Sequence, residues 1–393
     1  MAYSLPEQLR LLSEPEKIGG ETFSFGIEEE YFLVDARTGQ AAAHTPECLF
    51  AQISAASDGR IGHEFLQAQA EADTYPCATQ RRGRDELRFV RTLLRESAAE
   101  YGLAPLACGT HPTALWDGSA QTVKHRYDRV MGELQMIGRR NMFCGMHVHV
   151  ELPDPDRRVE VMERLVPYLP LFLALSASSP FWQSHLTGLK SYRFAAYDEL
   201  PRSGFPPMFR TKREFDDYVA ALVRAEAIPD GTYIWWAVRP SMRFPTLELR
   251  TPDCCTRLDD AMALVGLYRA LLRHLFFHPG RGSRVDTLAR ALAQENKWRA
   301  ERYGIHCTFV TKSEPIGVGE FLEEVIAMTA EDADMLGCAE DIARCRAIIA
   351  EGTSADAQIR VFREHVAHGT EAALARVVAW IAETTAQPGT QAH

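Results

Sequence analysis

Four short segments of this 393-residue chain set polar, metal-competent side chains two residues apart within apolar surroundings. They are Glu28 and Glu30 in GIEEEYFLV, Gln67, Gln69 and Glu71 in EFLQAQAEADT, His147 and His149 in GMHVHVEL, and Glu248 and Arg250 in TLELRTP. On a β-strand successive side chains leave opposite faces, so residues two apart share a face. The pattern predicts a sheet with one wall of carboxylates and imidazoles and a packed core behind it, toward which Glu29 points. The 64–74 segment also suits a helix and joins the set only if it is extended.

Electrostatics states what such a wall requires. Two bare carboxylates ~4 Å apart repel by about 4 kcal/mol at an effective dielectric near 20. Gathering Glu28, Glu30, Glu71 and Glu248 without counter-charge would cost more than the net stability of most domains. Either the four are dispersed or cations sit among them. Carboxylate oxygens with one or two imidazoles and no thiolate suit Mg²⁺ or Mn²⁺ better than structural zinc. Two such ions bridging phosphate oxygens would favour phosphoryl transfer. Taken singly, an ExE pair also fits a solvated strand face and an ExR pair a surface ion pair. The argument rests on their combination and order.

The remaining sequence frames that wall. Strands are expected over 22–34, 103–110, 142–152, 232–239 and 244–251, and helices over 80–101, 120–140 and 156–176, the last kinked at Pro167 and Pro170. Residues 182–210 read as a long aromatic loop of functional character. From Leu258 onward nearly everything reads as helix, apart from a loop or hairpin at 304–316, and a disordered tail is expected from about Gln387. Strands before helices indicate an α+β fold, a mainly antiparallel sheet with helices on one face. One catalytic domain over 1–393 is expected, sheet-rich at 20–255 and helical at 256–385. The formal charge of -10 and interspersed basic residues argue against nucleic-acid and anionic-membrane partners. The first twenty residues lack a signal-peptide pattern, and the most apolar run, Val166 to Ala177, is too short to span a bilayer. Nine scattered cysteines without a CxxC pair, Cys254 and Cys255 reading as packed thiols, point to a reducing cytoplasm. The helical last third could supply a homo-oligomer interface, such as a dimer's.

GIEEEYFLVD, the Glu64/Glu71 spacing, GMHVHVEL, the SYR segment around Arg193, TLELRTPD and ENKWRAERYG together resemble the carboxylate–amine ligases called glutamate–cysteine ligase type 2. The resemblance runs from about Phe23 to Gly304. It implies a glutamine-synthetase-like catalytic fold, whose curved sheet holds ATP and divalent ions on its concave face. By the same resemblance Glu28, Glu30, Glu71 and Glu248 are metal ligands, and Glu64 occupies a position that is acidic in more distant relatives. His147 matches the histidine that binds the ion between nucleotide phosphates, and His149 lies where the nucleotide is contacted. Arg250 matches the arginine that steadies the transferred phosphoryl group, and Arg193 one that meets the amino-acid substrate. Asn296 and Arg299 belong to the signature, with Asn296 a nucleotide-side candidate, and Trp298 between them reads as a core residue.

The implied reaction is ATP- and Mg²⁺-dependent amide formation through an acyl phosphate, with glutamate and cysteine the first substrates to consider. Two other readings compete. In a metal-dependent hydrolase, His147, His149 and Glu248 would hold zinc and activate water. A non-catalytic nucleotide or amino-acid sensor would use the same fold without turnover.

Overall fold

In the computed structural model, which describes residues 22–118, 120–122, 125–280 and 285–390, GIEEEYFLV lies in the central strand of an antiparallel sheet. The strands are β1 (Phe25–Asp35), β2 (Ile61–His63), β3 (Gln69–Asp73), β4 (Leu103–Leu106) and β5 (Met146–Glu151). A separate small hairpin, β6 (Phe181–Trp182) and β7 (His185–Leu186), precedes β8 (Val238–Pro240) and β9 (Thr246–Leu249). The order across the sheet is β2-β3-β1-β5-β9-β8, and β4 takes up the edge of β1 where β5 leaves off. This register sets Glu28 opposite both Asp73 and His147, Glu30 opposite Glu71, and Glu248 opposite both His149 and Arg239.

The odd-numbered side chains of β1 turn to a helix layer. There Gln80–Ala99 packs on β1 and Leu258–Phe277 on β5, and the two helices touch. Phe25 fits against Gly83, where a Cβ would come within 2.5 Å of the ring; only glycine lets the helix approach so closely. Glu29 is fully buried and receives Arg91 in a forked contact, Nε at 2.8 Å and Nη2 at 2.6 Å. The Tyr31 hydroxyl donates to the same carboxylate, and Arg91 also donates to the carbonyls of Cys255 and Thr256. Cys254 and Cys255 are buried beside this pair, and burial pushes both thiols well above their ordinary range.

Several expected elements differ in detail. The 64–74 segment is extended only from Gln69, and the strand near 232–239 shrinks to Val238–Pro240. The 156–176 helix divides into Arg158–Leu165 and Leu169–Ser176 around a tight turn at Pro167, whose ring removes an amide donor. The 182–210 stretch is not structureless. It holds part of the β6–β7 hairpin and a helix at Tyr192–Tyr197. Trp298, expected in the core, is 50% exposed. Of the tail expected to be disordered, Pro388 and Thr390 accept from Arg88, and Thr390 donates to Asp259; 391–393 lie outside the described residues. Among the described residues no helix is long and apolar enough to cross a membrane.

Two measurements test this frame. Arg91→Met strands a buried carboxylate and should cost about 3–5 kcal/mol in urea unfolding. The double variant with Glu29→Gln should recover part of that loss, because it removes the unpaired charge. His111, buried with its ring bonded to Gly39 O and to the amides of Thr113 and Ala114, is held down to about 4 by burial. The unfolded chain binds this proton at pH ~6.5, so stability falls as pH drops from 6.5 to 4, by ~3 kcal/mol in total. His111→Asn should flatten that slope even if it lowers stability at neutral pH.

Candidate functional site

The even-numbered face of β1 and its neighbours forms the wall of a cavity of about 340 Å³, a size suited to a small-molecule ligand. It is lined by Glu28, Glu30, Glu64, Glu71, His147, His149, Arg193, Glu248 and Arg250. Of the candidate site residues read from the sequence, Gln67, Gln69, Asn296 and Arg299 are not part of the lining. The Asn296 side chain clamps a backbone segment instead, donating to Val310 O at 2.9 Å and accepting from Val310 N at 2.7 Å. Arg299 is also occupied elsewhere, on the Thr308 carbonyl and hydroxyl.

Glu28 is the centre of the wall. His147 Nδ1 stands 3.2 Å from one of its oxygens and His149 Nε2 2.9 Å from the other. Burial opposes ionisation of Glu28, but contacts with both imidazoles hold its carboxyl well below the usual range. Burial and the nearby Arg250 push His147 down. His149 moves up despite burial, through Glu28 and Glu248. Its Nδ1 bonds Thr246 Oγ1 at 2.8 Å, which leaves Nε2 directed at the carboxylates. Glu30 accepts from the Gly145 amide at 2.6 Å.

The two ends of the wall differ in charge. Glu248 is forked by Arg239, Nε at 2.7 Å and Nη2 at 3.0 Å, and is also met by Arg250. Burial raises Glu248, but the two arginines outweigh it and hold the carboxyl far down. Arg250 reaches the Tyr197 hydroxyl at 3.2 Å. The expectation that Glu248 needs a cation for charge balance is thus corrected, because neighbouring strands supply that charge. At the other end no ion pair reaches Glu71 among the described residues. Burial, then Glu64 and Asp73, push its carboxyl well up. Asp73 is raised to about 7 by burial and by Glu28, and its buried Oδ1 has no hydrogen-bond partner. Glu64 accepts from the Tyr127 hydroxyl at 3.2 Å.

Two donor sets converge here, Glu28–Glu71–Asp73 and Glu28–His147–Glu248, each with ligand atoms within 4.8 Å of one another. Hard oxygens, one imidazole and no thiolate fit Mg²⁺ or Mn²⁺. The buried and unbonded His147 Nε2 and Asp73 Oδ1 are what a site shaped for cations leaves open. The hydrolase set of His147, His149 and Glu248 is not among the donor clusters found in the described residues. Asp73 and Arg239 are site residues that the sequence reading missed. Asp73 follows Glu71 by two and was accessible to the same alternation rule. Arg239 required knowing that β8 pairs with β9.

Arg193 is buried, with its guanidinium laid on Gly145, where a Cβ would come within 2.0 Å of Nη2. Asp253 lies 3.9 Å away and also accepts from Ser179 and Ser191. Arg193 Nε has no hydrogen-bond partner, so the group keeps a free donor beside the cavity.

Residues 24–378 match the sequence model of Glutamate-cysteine ligase family 2. A Bradyrhizobium sp. (strain ORS 278) protein, provisionally named glutamate–cysteine ligase 2, is 51% identical over 390 residues, spanning 96% of this chain and 94% of its own. A similarly named Rhodospirillum rubrum protein is 43% identical over 379 residues, spanning 94% and 97%. Among solved structures, a Francisella tularensis glutamate–cysteine ligase in complex with AMP superposes with a TM-score of 0.70 at 13% identity, covering 92% of this chain and 88% of that one. A bifunctional glutathione synthetase from Pasteurella multocida gives 0.66 at 16%, covering 97% of this chain and 54% of that longer one. At such identities the superpositions establish a shared fold.

If the acidic end holds cations, Mg²⁺ should raise the melting temperature of the ligand-free chain, since a ligand at ~100 times its Kd adds about 2.7 kcal/mol. Glu71→Gln should weaken the Mg²⁺-dependent shift while retaining the fold. An equal shift in both proteins would remove Glu71 from the metal site.

Proposed function

This chain belongs to glutamate–cysteine ligase family 2, and from that membership we propose that it is an ADP-forming carboxylate–amine ligase that joins glutamate to cysteine or a related amine. One observation carries the reading: a wall acidic at one end and arginine-rich at the other, with Glu28 shared between two donor sets. That arrangement supports binding a polyphosphate through divalent cations and handling its terminal phosphoryl group.

Glu28, Glu71 and Asp73 would hold one ion, and Glu28, His147 and Glu248 another, with Glu30 beside them. Bound there, Mg²⁺ would neutralise phosphate oxygens and draw charge from the transferring group. Arg193, with its unspent donor, would bind the carboxylate substrate and orient an oxygen toward the γ-phosphorus. Attack by that oxygen breaks the bond to ADP and yields an acyl phosphate. Arg250, held by Glu248 and Tyr197, would meet the equatorial oxygens of the phosphoryl group as charge develops. His149, on the same strand face as His147, would contact the nucleotide phosphates. The amine, favoured by the negative potential of Glu64 and Glu71, then attacks the acyl carbon. A carboxylate at that end takes its proton, and inorganic phosphate leaves.

The test is incubation with ATP, Mg²⁺, glutamate and cysteine, and separately with a pooled amino-acid set, following ADP, phosphate and a condensation product by mass spectrometry. Stoichiometric ADP, phosphate and dipeptide are expected. Arg250→Lys should lose activity by about 10²-fold or more, because an ammonium cannot reproduce a forked contact. Glu248→Gln, which leaves Arg239 and Arg250 without their shared anion, should fail similarly with its fold intact. Near-normal turnover by Arg250→Lys would make that residue structural, and ATP binding without phosphate release in any mixture would favour a sensor.

A further inference from the structure

The ENKWRAERYG signature lies outside the cavity lining, yet its polar groups reach the segment that carries Arg193 and Tyr197. Lys297, on the helix Thr287–Tyr303, is buried. Its Nζ stands 2.5 Å from Asp198 Oδ2 and 2.6 Å from Glu301 Oε1, and 5.1 Å from the centre of the Phe194 ring. The Glu301 carbonyl accepts from the amides of Lys190 and Ser191 at 2.7 and 3.1 Å. Arg302 donates to the Gly188 carbonyl. The contacts thus reach both ends of the six-residue helix Tyr192–Tyr197, Gly188, Lys190 and Ser191 before it and Asp198 after it. So short a helix is not stable by itself, and its placement depends on what grips it.

We propose that Lys297 is a positioning residue for the carboxylate-substrate half of the site: by tying Asp198 to Glu301 it fixes the Tyr192–Tyr197 helix, and with it Arg193 and Tyr197, at the cavity. The inference rests on the reading that Arg193 meets the carboxylate substrate. The physical sequence is short. Without the Lys297 charge, Glu301 is a buried carboxylate lacking its cation, and Asp198 loses its tether. The Tyr192–Tyr197 helix then keeps, on its C-terminal side, the Tyr197–Arg250 bond and the half-exposed Arg140–Glu199 pair. Tyr197 is one residue from Asp198, so its bond to Arg250 loosens first. Arg193 follows, while β1, β3 and the acidic wall, which Lys297 does not touch, stay as they are. The binding defect should therefore fall on the carboxylate substrate, while the loosened Arg250 slows turnover.

The experiment compares the full chain with Lys297→Met, Lys297→Arg and the milder Asp198→Asn, which cuts the tether but leaves Lys297 and Glu301 paired. Steady-state kinetics with ATP and Mg²⁺ should show KM for the carboxylate substrate rising about tenfold or more in Lys297→Met and Asp198→Asn. KM for ATP should stay within about twofold, and Lys297→Arg should recover most of the loss. Amide hydrogen exchange should accelerate in a peptide covering 188–198 and remain unchanged in β1 in Lys297→Met and Asp198→Asn. An unchanged carboxylate KM, or equal losses for both substrates, overturns the proposal. So does unaltered exchange in 188–198. If the wild-type chain ligates nothing, the function reading fails and the exchange comparison alone decides the tether.

Discussion

The alternation of side chains along one central strand governs this molecule, because β1 has partners on both edges and cannot slip. A one-residue shift would send Glu28 and Glu30 into the core and bring Phe25 and Ile27 to the cavity. Glu29 opposes that shift from the other face, since its carboxylate is matched by Arg91 and Tyr31 in the helix layer. Three consecutive glutamates thus have two opposite uses, and the register that buries one of them exposes the other two to the site. The same pairing sets Glu28 between His147 and Asp73, so that one carboxylate serves both donor clusters.

Charge along the wall is then divided by strand position. At β8 and β9 the arginines arrive with the acid they balance, and Glu248 and Arg250 form a preassembled pair. At β3 the acids arrive alone, with Glu64 and Asp73 burdening Glu71 and Glu28 burdening Asp73. A ligand bearing negative charge is accommodated at the first end directly and at the second through cations. The cavity therefore has a built-in direction. Phe65, Leu134 and Phe143 also line it, and apolar walls of this kind lower the local dielectric and strengthen such a gradient.

Much of this was legible from residue spacing. The ExE, HxH and ExR pairs announced a shared face because period two is fixed by backbone geometry, and antiparallel pairing brought them together. What remained hidden depends on contacts between distant segments. Glu248 looked like a carboxylate in need of a cation because Arg239 lies across a hairpin turn whose register the sequence does not state. Asn296 looked like a nucleotide contact because the signature around it resembles a functional one, yet both ends of its amide hold Val310. Trp298 resembled core by its chemistry, and its helix simply turns it outward. The 182–210 stretch read as loop because its helix is under two turns long and stabilised by tertiary ties, which no local propensity reports.

The last described residues close over the first long helix. Thr385 accepts from the Ala107 amide beside β4, and Ala386, Pro388 and Thr390 offer carbonyls to Arg95 and Arg88. These ties join positions almost three hundred residues apart. During synthesis the helix Gln80–Ala99 emerges long before residues 385–390, with Arg88 and Arg95 paired only to Asp85 and Glu96 close by, and that later stretch adds the distant contacts. The sheet's covering layer is consequently finished late, by slow, long-range closure rather than local assembly. A nascent chain halted before residue 385 would carry the acidic wall in its sequence yet lack the brace behind it.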